Sequence, residues 1–176
     1  MKQQWMLLKK SEHQDLWIKI YANFDFTSSK IDFISHIPFE VYDIKGTLWQ
    51  FETYDSEGNY KTSEYIELLR SIFIDCMGDD DYMYALDWNH AGFKYDPRIN
   101  QPHPIFEIAT DENELESRAY YPLYYPDEDF HFFLANDLSW GYLGHPWQKK
   151  VYIFGEKMIE NFDKYAYQLN FVKLKH

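Results

Sequence analysis

The sequence predicts an α+β fold: a single antiparallel sheet of about five to seven strands carrying N-terminal, central and C-terminal helices. Three observations predict it. Apolar residues recur at helical spacing in three separated segments, beginning near Ser11, Ser63 and Gly155. Strand-like runs cluster between Tyr82 and Phe154 and are divided by turn residues, without regular alternation of strand and helix. The last three runs, Phe130–Leu134, Gly141–Tyr142 and Val151–Phe154, are separated by Asn136-Asp137 and by Gly144-His145-Pro146-Trp147, which is the pattern of a C-terminal meander.

Each element rests on local chemistry. Ser11 with Gln14 three residues later has the form of a capping box, and Trp17, Ile20, Tyr21 and Phe24 follow at helical spacing, so a helix runs to about Asn23–Asp25. Ile31 to Ile44 is extended, and Pro38 within it marks an edge or irregular strand. Leu48 to Tyr54 alternates as a strand, and Asp55 to Asn59 is a loop. The central helix spans about Ser63 to Met77. Ser63 caps it, Glu64 and Glu67 suit its positive end, Ile66, Leu69, Phe73 and Cys76 form its stripe, and Gly78 stops it. Tyr82 to Asn89 alternates, with Tyr84, Leu86 and Trp88 on one face. Gly92 turns the chain into a return strand, Phe93 to Tyr95. A proline-rich loop follows at Asn100–Pro104, then a strand at Ile105–Ile108, and Asp111 with Glu114 caps one or two helical turns. After the meander, Gly155-Glu156 opens a last helix with Ile159, Phe162, Ala166 and Leu169 inward.

A chain of 176 residues is read as a single domain, 1–176, large enough to bury a core without staples. Its 16 Tyr, 14 Phe and 6 Trp suit a sheet with large buried rings and wet polar edges. The net charge of −12 is uneven. His145 to His176 holds six Lys against three acids, a balance of +3, which leaves −15 on the remainder. Acids cluster at Asp79-Asp80-Asp81, Asp111 to Glu116 and Asp127-Glu128-Asp129. Such a surface repels nucleic-acid phosphates and anionic membranes, and suits a basic protein partner, a bound cation or simple solubility. The one cysteine, Cys76, excludes an internal disulfide, falls on the apolar side of the central helix and fits a reducing cytoplasm. Trp5 to Leu8 is too short for a signal-peptide core, and no apolar run approaches membrane-spanning length, so a cytoplasmic location is expected.

An ordered set of motifs carries a family likeness. Tyr84-Ala85-Leu86-Asp87-Trp88 with His90, then Tyr125-Pro126-Asp127 with Asp129, Phe133-Leu134, Asp137, Gly141, Gly144-His145-Pro146-Trp147 and Phe154-Gly155, resembles the bacterial domain-of-unknown-function family 2716. The likeness covers nearly the whole chain and is most specific from Tyr84 to Gly155. It implies a small bacterial cytoplasmic protein and carries no activity over. Glu128 stands where the family pattern has Gly. If that turn needs a positive φ, Glu costs roughly 1 kcal/mol.

The candidate binding site gathers Asp87, Trp88, His90, Asp127, Asp129, Asp137, Trp140, His145 and Trp147, with no metal or cofactor assigned. Asp127 and Asp129 flank one turn residue, where they either hold a hard cation or cap the turn. His145 is held by Pro146, as a general base, a ligand or a partner of backbone. Asp87 lies within a strand, so an inward carboxylate needs partners, with Arg98, Arg118 and His145 as candidates. His131, between Phe130 and Phe132, faces away from both and is expected half exposed. No zinc-protease, CxxC, phosphate-loop, Rossmann or nucleophile-elbow motif occurs. The leading expectation is therefore an acidic, immunity- or antitoxin-like protein that docks a basic partner, rather than an enzyme. The alternatives are a metal-dependent hydrolase and a small-molecule or sugar binder using the Asp/His set.

Overall fold

The computed structural model describes residues 3–34, 36–47, 57, 63–88, 90–99, 106–107, 119–126 and 128–175. The elements run β1 (Trp5–Leu7), α1 (Lys10–Asn23), β2 (Phe24–Thr27), β3 (Lys30–Phe33), β4 (Phe39–Asp43), α2 (Glu64–Met77), β5 (Met83–Asp87) and β6 (Gly92–Tyr95). They continue with β7 (Phe106–Glu107), β8 (Ala119–Tyr120), β9 (His131–Leu134), β10 (Gly141–His145), β11 (Lys150–Phe154), α3 (Glu156–Asp163) and β12 (Val172–Lys173). The main sheet has eight strands in the order β1-β6-β5-β9-β10-β11-β4-β12, every pair antiparallel. The fold is α+β and the expected meander is β9-β10-β11. The sheet exceeds the five to seven strands expected, because the short strands β1 and β12 extend its two edges. β2 with β3 and β7 with β8 form two separate hairpins. Ile31–Ile44 is thus divided between two sheets at Pro38. The expected strand Leu48–Tyr54 and the helical turns at Asp111–Glu114 lie outside the described residues.

Alternation along each strand sends side chains to two cores, so helices cover both faces of the sheet. Ala85, Phe133, Tyr142, Val151 and Ile153 meet Leu69, Phe73 and Cys76 of α2 and Met158 and Phe162 of α3. Leu86, Phe132, Leu143 and Tyr152 meet Leu16, Trp17 and Ile20 of α1, with Phe24 and Ile31 of the β2–β3 hairpin. Burying each such side chain contributes roughly 1.5–3 kcal/mol. Phe73 stacks on Phe133 at 5.4 Å, which fixes α2 over the centre of the sheet.

The helix ends follow their chemistry. Ser63 Oγ accepts from the Ile66 N–H at the start of α2, and Gly78, at φ 57°, ends it. α1 begins one residue before the expected cap: Lys9 is the N-cap, and its N–H donates to the Glu12 carboxylate at 3.4 Å. Tyr21 is exposed, and Leu16 takes its expected place in the stripe. α3 is short. Beyond Asp163 the chain continues in turns that still bury Leu169. Among the described residues no helix is long and apolar enough to cross a membrane.

Candidate functional site

Strand register builds the site. Asp87, the last residue of β5, stands opposite His131, the first of β9. Both share the parity of Ala85 and Phe133, so both point to the α2 face at one end of the sheet. The chain then turns, with the His90 N–H donating to the Asp87 carbonyl at 3.1 Å. That turn folds the His90 ring back, and its Nδ1 sits 3.2 Å from Asp87 Oδ1. His131 Nε2 lies 3.9 Å from the other carboxylate oxygen. Asp129 enters from the segment before β9, where its Oδ1 accepts from the Phe130 N–H at 2.8 Å. One ligand-type atom from each of Asp87, His90 and Asp129 lies within 4.8 Å of the others.

A strap of residues 121–126 covers this end of the sheet and makes a cleft of it. The Tyr142 hydroxyl donates to the Tyr124 carbonyl at 2.7 Å, and the Tyr95 and Tyr124 hydroxyls meet at 2.5 Å. Pro126 packs on Gly144, where a Cβ would lie 2.8 Å from the proline ring. The strap buries His131 to 3% exposure, against the half exposure expected, and its Leu123 carbonyl bonds His131 Nδ1 at 2.9 Å. The resulting cleft holds about 360 Å³, with Asp87, His90, Asp129 and His131 among its walls and Tyr120 and Glu128 at its rim.

Asp87 is 7% exposed. Burial raises its pKa above the usual carboxylate range; the nearby His131 and His90 oppose that shift, and Asp129 adds to it. The partners expected for Asp87 need correction. Arg98 is committed to Asp96, Nε to Oδ1 at 2.8 Å, and Arg118 lies outside the described residues. Among the described residues the partners are His90 and His131.

The other candidate residues sit elsewhere. His145 shares the parity of Leu143 and so faces α1 and the β2–β3 hairpin, on the opposite side of the sheet. It is fully buried, with Nε2 bonded to the Thr27 carbonyl at 3.1 Å and Nδ1 accepting from the Gln148 N–H at 3.3 Å. Burial holds its pKa below the ordinary imidazole value. Trp88 faces the same side, its Nε1–H donating to the Tyr21 hydroxyl at 3.1 Å. Trp147 rests its edge on Phe130 and stays 54% exposed. Asp137 lies in the β9–β10 turn, at the far end of β9 from His131. It accepts from the Ser139 N–H at 2.9 Å, and the Ser139 side chain together with that N–H holds its carboxyl below the usual range. Trp140 is buried in the α2–α3 core. Asp127 is outside the described residues. The structure therefore joins Asp87, His90 and Asp129, adds His131, and leaves Trp88, Asp137, Trp140, His145 and Trp147 apart.

The family model described as "Protein of unknown function (DUF2716)" matches residues 7–159. The chain belongs to the DUF2716 family. A curated relative, "Uncharacterized protein YxiI" of Bacillus subtilis (strain 168), is 25% identical over 162 residues, covering 90% of this chain and 92% of its own length. No solved structure matches significantly. All four cleft residues lie inside the segment that defines this DUF2716 member.

Proposed function

We propose that this chain binds a small polar molecule in the Asp87–His131 cleft and has hydrolytic capacity there. The observation that supports this reading is the convergence of two carboxylates and two imidazoles on one cleft, with Asp87 buried at its floor. A carboxylate of raised pKa facing imidazoles can accept and return a proton, which is what general acid–base chemistry requires. The volume suits a small metabolite, and Tyr120 and Tyr121 offer ring surface beside the polar floor. A thermal-shift panel of phosphate esters, carboxylic esters, sugars and nucleotides tests it, run on wild type and on Asp129→Asn. The expected result is one class that raises the melting temperature of wild type and not of the variant, and that is hydrolysed only by wild type. If no compound separates the two proteins, the reading is wrong.

A second reading, the docking of a basic protein in the manner of an immunity protein or antitoxin, is favoured by the exposed run Asp79-Asp80-Asp81 and by exposed Trp147. It ranks lower because two acidic clusters stand at opposite ends of β5: Asp79–Asp81 precede it, whereas Glu128 and Asp129 lie at its other end. Capture of a basic partner at low salt that is released at high salt supports docking, and the absence of any salt-sensitive partner removes it.

A further inference from the structure

The cleft has the features of a metal site, and this inference rests on the reading that the cleft is the functional site. We propose that Asp87, His90 and Asp129 bind one divalent transition-metal ion, with His131 Nε2 as a fourth donor.

Spacing supports this first. With metal–ligand bonds of about 2.0–2.1 Å, neighbouring donors around one ion stand roughly 2.9–3.4 Å apart. Asp87 Oδ1 and His90 Nδ1 are already 3.2 Å apart. His131 Nε2, at 3.9 Å from Asp87 Oδ2, needs only a small approach. Asp129 lies within the 4.8 Å limit and is partly exposed, so its side chain can swing inward.

The surroundings support it independently. Asp87 Oδ1 is buried against His90 Nδ1 at 3.2 Å, a contact poorly aligned for a hydrogen bond. A buried carboxylate oxygen of that kind is costly unless a cation or donor meets it. His131 is held by the Leu123 carbonyl, which accepts from Nδ1–H and leaves Nε2 as the ring nitrogen on the Asp87 side. Metal-binding histidines are characteristically oriented through the second ring nitrogen in this way. The donor chemistry then sets the ion class. Imidazole with carboxylate suits zinc, manganese, iron or cobalt, whereas calcium and magnesium favour sets made of oxygen alone.

The test uses the full chain, stripped with a chelator and dialysed. Calorimetric titration with Zn²⁺, Mn²⁺ and Co²⁺, with Ca²⁺ and Mg²⁺ as controls, is run on wild type, Asp129→Asn and His90→Gln. Both substitutions fall at partly exposed positions, and circular dichroism confirms the fold; if one variant fails to fold, the other decides. Expected are one ion per chain, a visible Co²⁺ spectrum showing nitrogen ligation, and affinity at least tenfold weaker in each variant. Absence of saturable one-to-one binding, or equal affinity in wild type and the folded variants, overturns the proposal. The two readings fail separately. An organic ligand that binds the chelated protein and is lost in Asp129→Asn keeps the cleft and overturns the metal. One-to-one metal binding with no organic ligand supports the metal and removes the small-molecule function.

Discussion

Asp87→Asn should stabilise the apo protein while abolishing what the cleft does. In the fold the carboxylate is buried and its pKa is raised, so its charged form is less favourable there than in water. The amide has nearly the same shape and removes two costs. One is the desolvation of the charge. The other is repulsion from Asp129, whose ligand atom lies within 4.8 Å of the cluster. At an effective dielectric constant near 20, two unit charges about 5 Å apart repel by roughly 3 kcal/mol, an upper limit that water around Asp129 reduces severalfold. Lost attraction to His90 and His131 takes back part of the gain. The net expectation is about 1–2 kcal/mol of added stability, typical for relief of a strained functional position. For a domain of this size that raises the melting temperature by about 2–8 °C. The assay is thermal and urea unfolding of wild type and Asp87→Asn at pH 7.5 with excess chelator, followed by the metal titration. A fall in the melting temperature by more than about 3 °C would refute the reasoning. It would show that the ionised carboxylate holds the β5–β6 turn and His131 together as structure.

Three further outcomes follow from the packing. Gly155→Ala should cost about 2–4 kcal/mol, because overpacking adds to the strain of positive φ. The glycine stands at φ 84°, and a Cβ there would lie 2.4 Å from the Ser139 carbonyl oxygen. A melting-temperature drop under about 3 °C would contradict that. Cys76 is buried, and burial pushes its thiol up to about 11. A disulfide reagent at pH 8 should therefore modify it at least about 100-fold more slowly in the native than in the unfolded chain, and equal rates would disprove its burial. For His145 the folded pKa is lowered, so the unfolded chain binds the proton first. Its stabilising contribution is complete above about pH 6.5 and is lost as the pH falls below that, with a slope of at most about 1.4 kcal/mol per pH unit. Urea unfolding at pH 7.5 and 5.5 should show a smaller acid loss for His145→Gln than for wild type; identical losses would exclude His145 as a source.

Much of the architecture was legible because local chemistry and tertiary structure agree. Around α2, Ser63, the 66–69–73–76 stripe and Gly78 each act within a few residues of themselves. The β9-β10-β11 meander needs only apolar runs and short turns. β1 and β12 were not legible: two or three residues carry no full period, and their pairing is set by the distant partners Tyr95 and Asp43. The β2–β3 hairpin pairs locally, Phe24 with Phe33, but its four-residue strands carry no full period either. In the site, the parity of Asp87 placed it inward, and the parity of His131 set it opposite Phe130 and Phe132. Neither says which histidine shares a face with the carboxylate, since that depends on register between strands distant in sequence. The burial of His131 was hidden as well, because it depends on Tyr124 and Pro126 laying the strap across Tyr142 and Gly144.

His131 and His145 show how one residue of register separates structure from chemistry. Gly144 is the cross-strand partner of His131, so His145 is offset by one position and points to the other side of the sheet. There its two ring nitrogens meet the Thr27 carbonyl and the Gln148 N–H, and both are consumed in holding the β10–β11 turn against the β2–β3 hairpin. His131 uses one nitrogen on the Leu123 carbonyl and turns the other to a carboxylate that burial has made unwilling to stay charged. A fold that needed only stability would put an apolar pair at Asp87 and His131, as it does one step inward at Leu86 and Phe132. Stability alone does not account for two carboxylates and two imidazoles at the end of an otherwise aromatic sheet. A ligand that brings its own positive charge does.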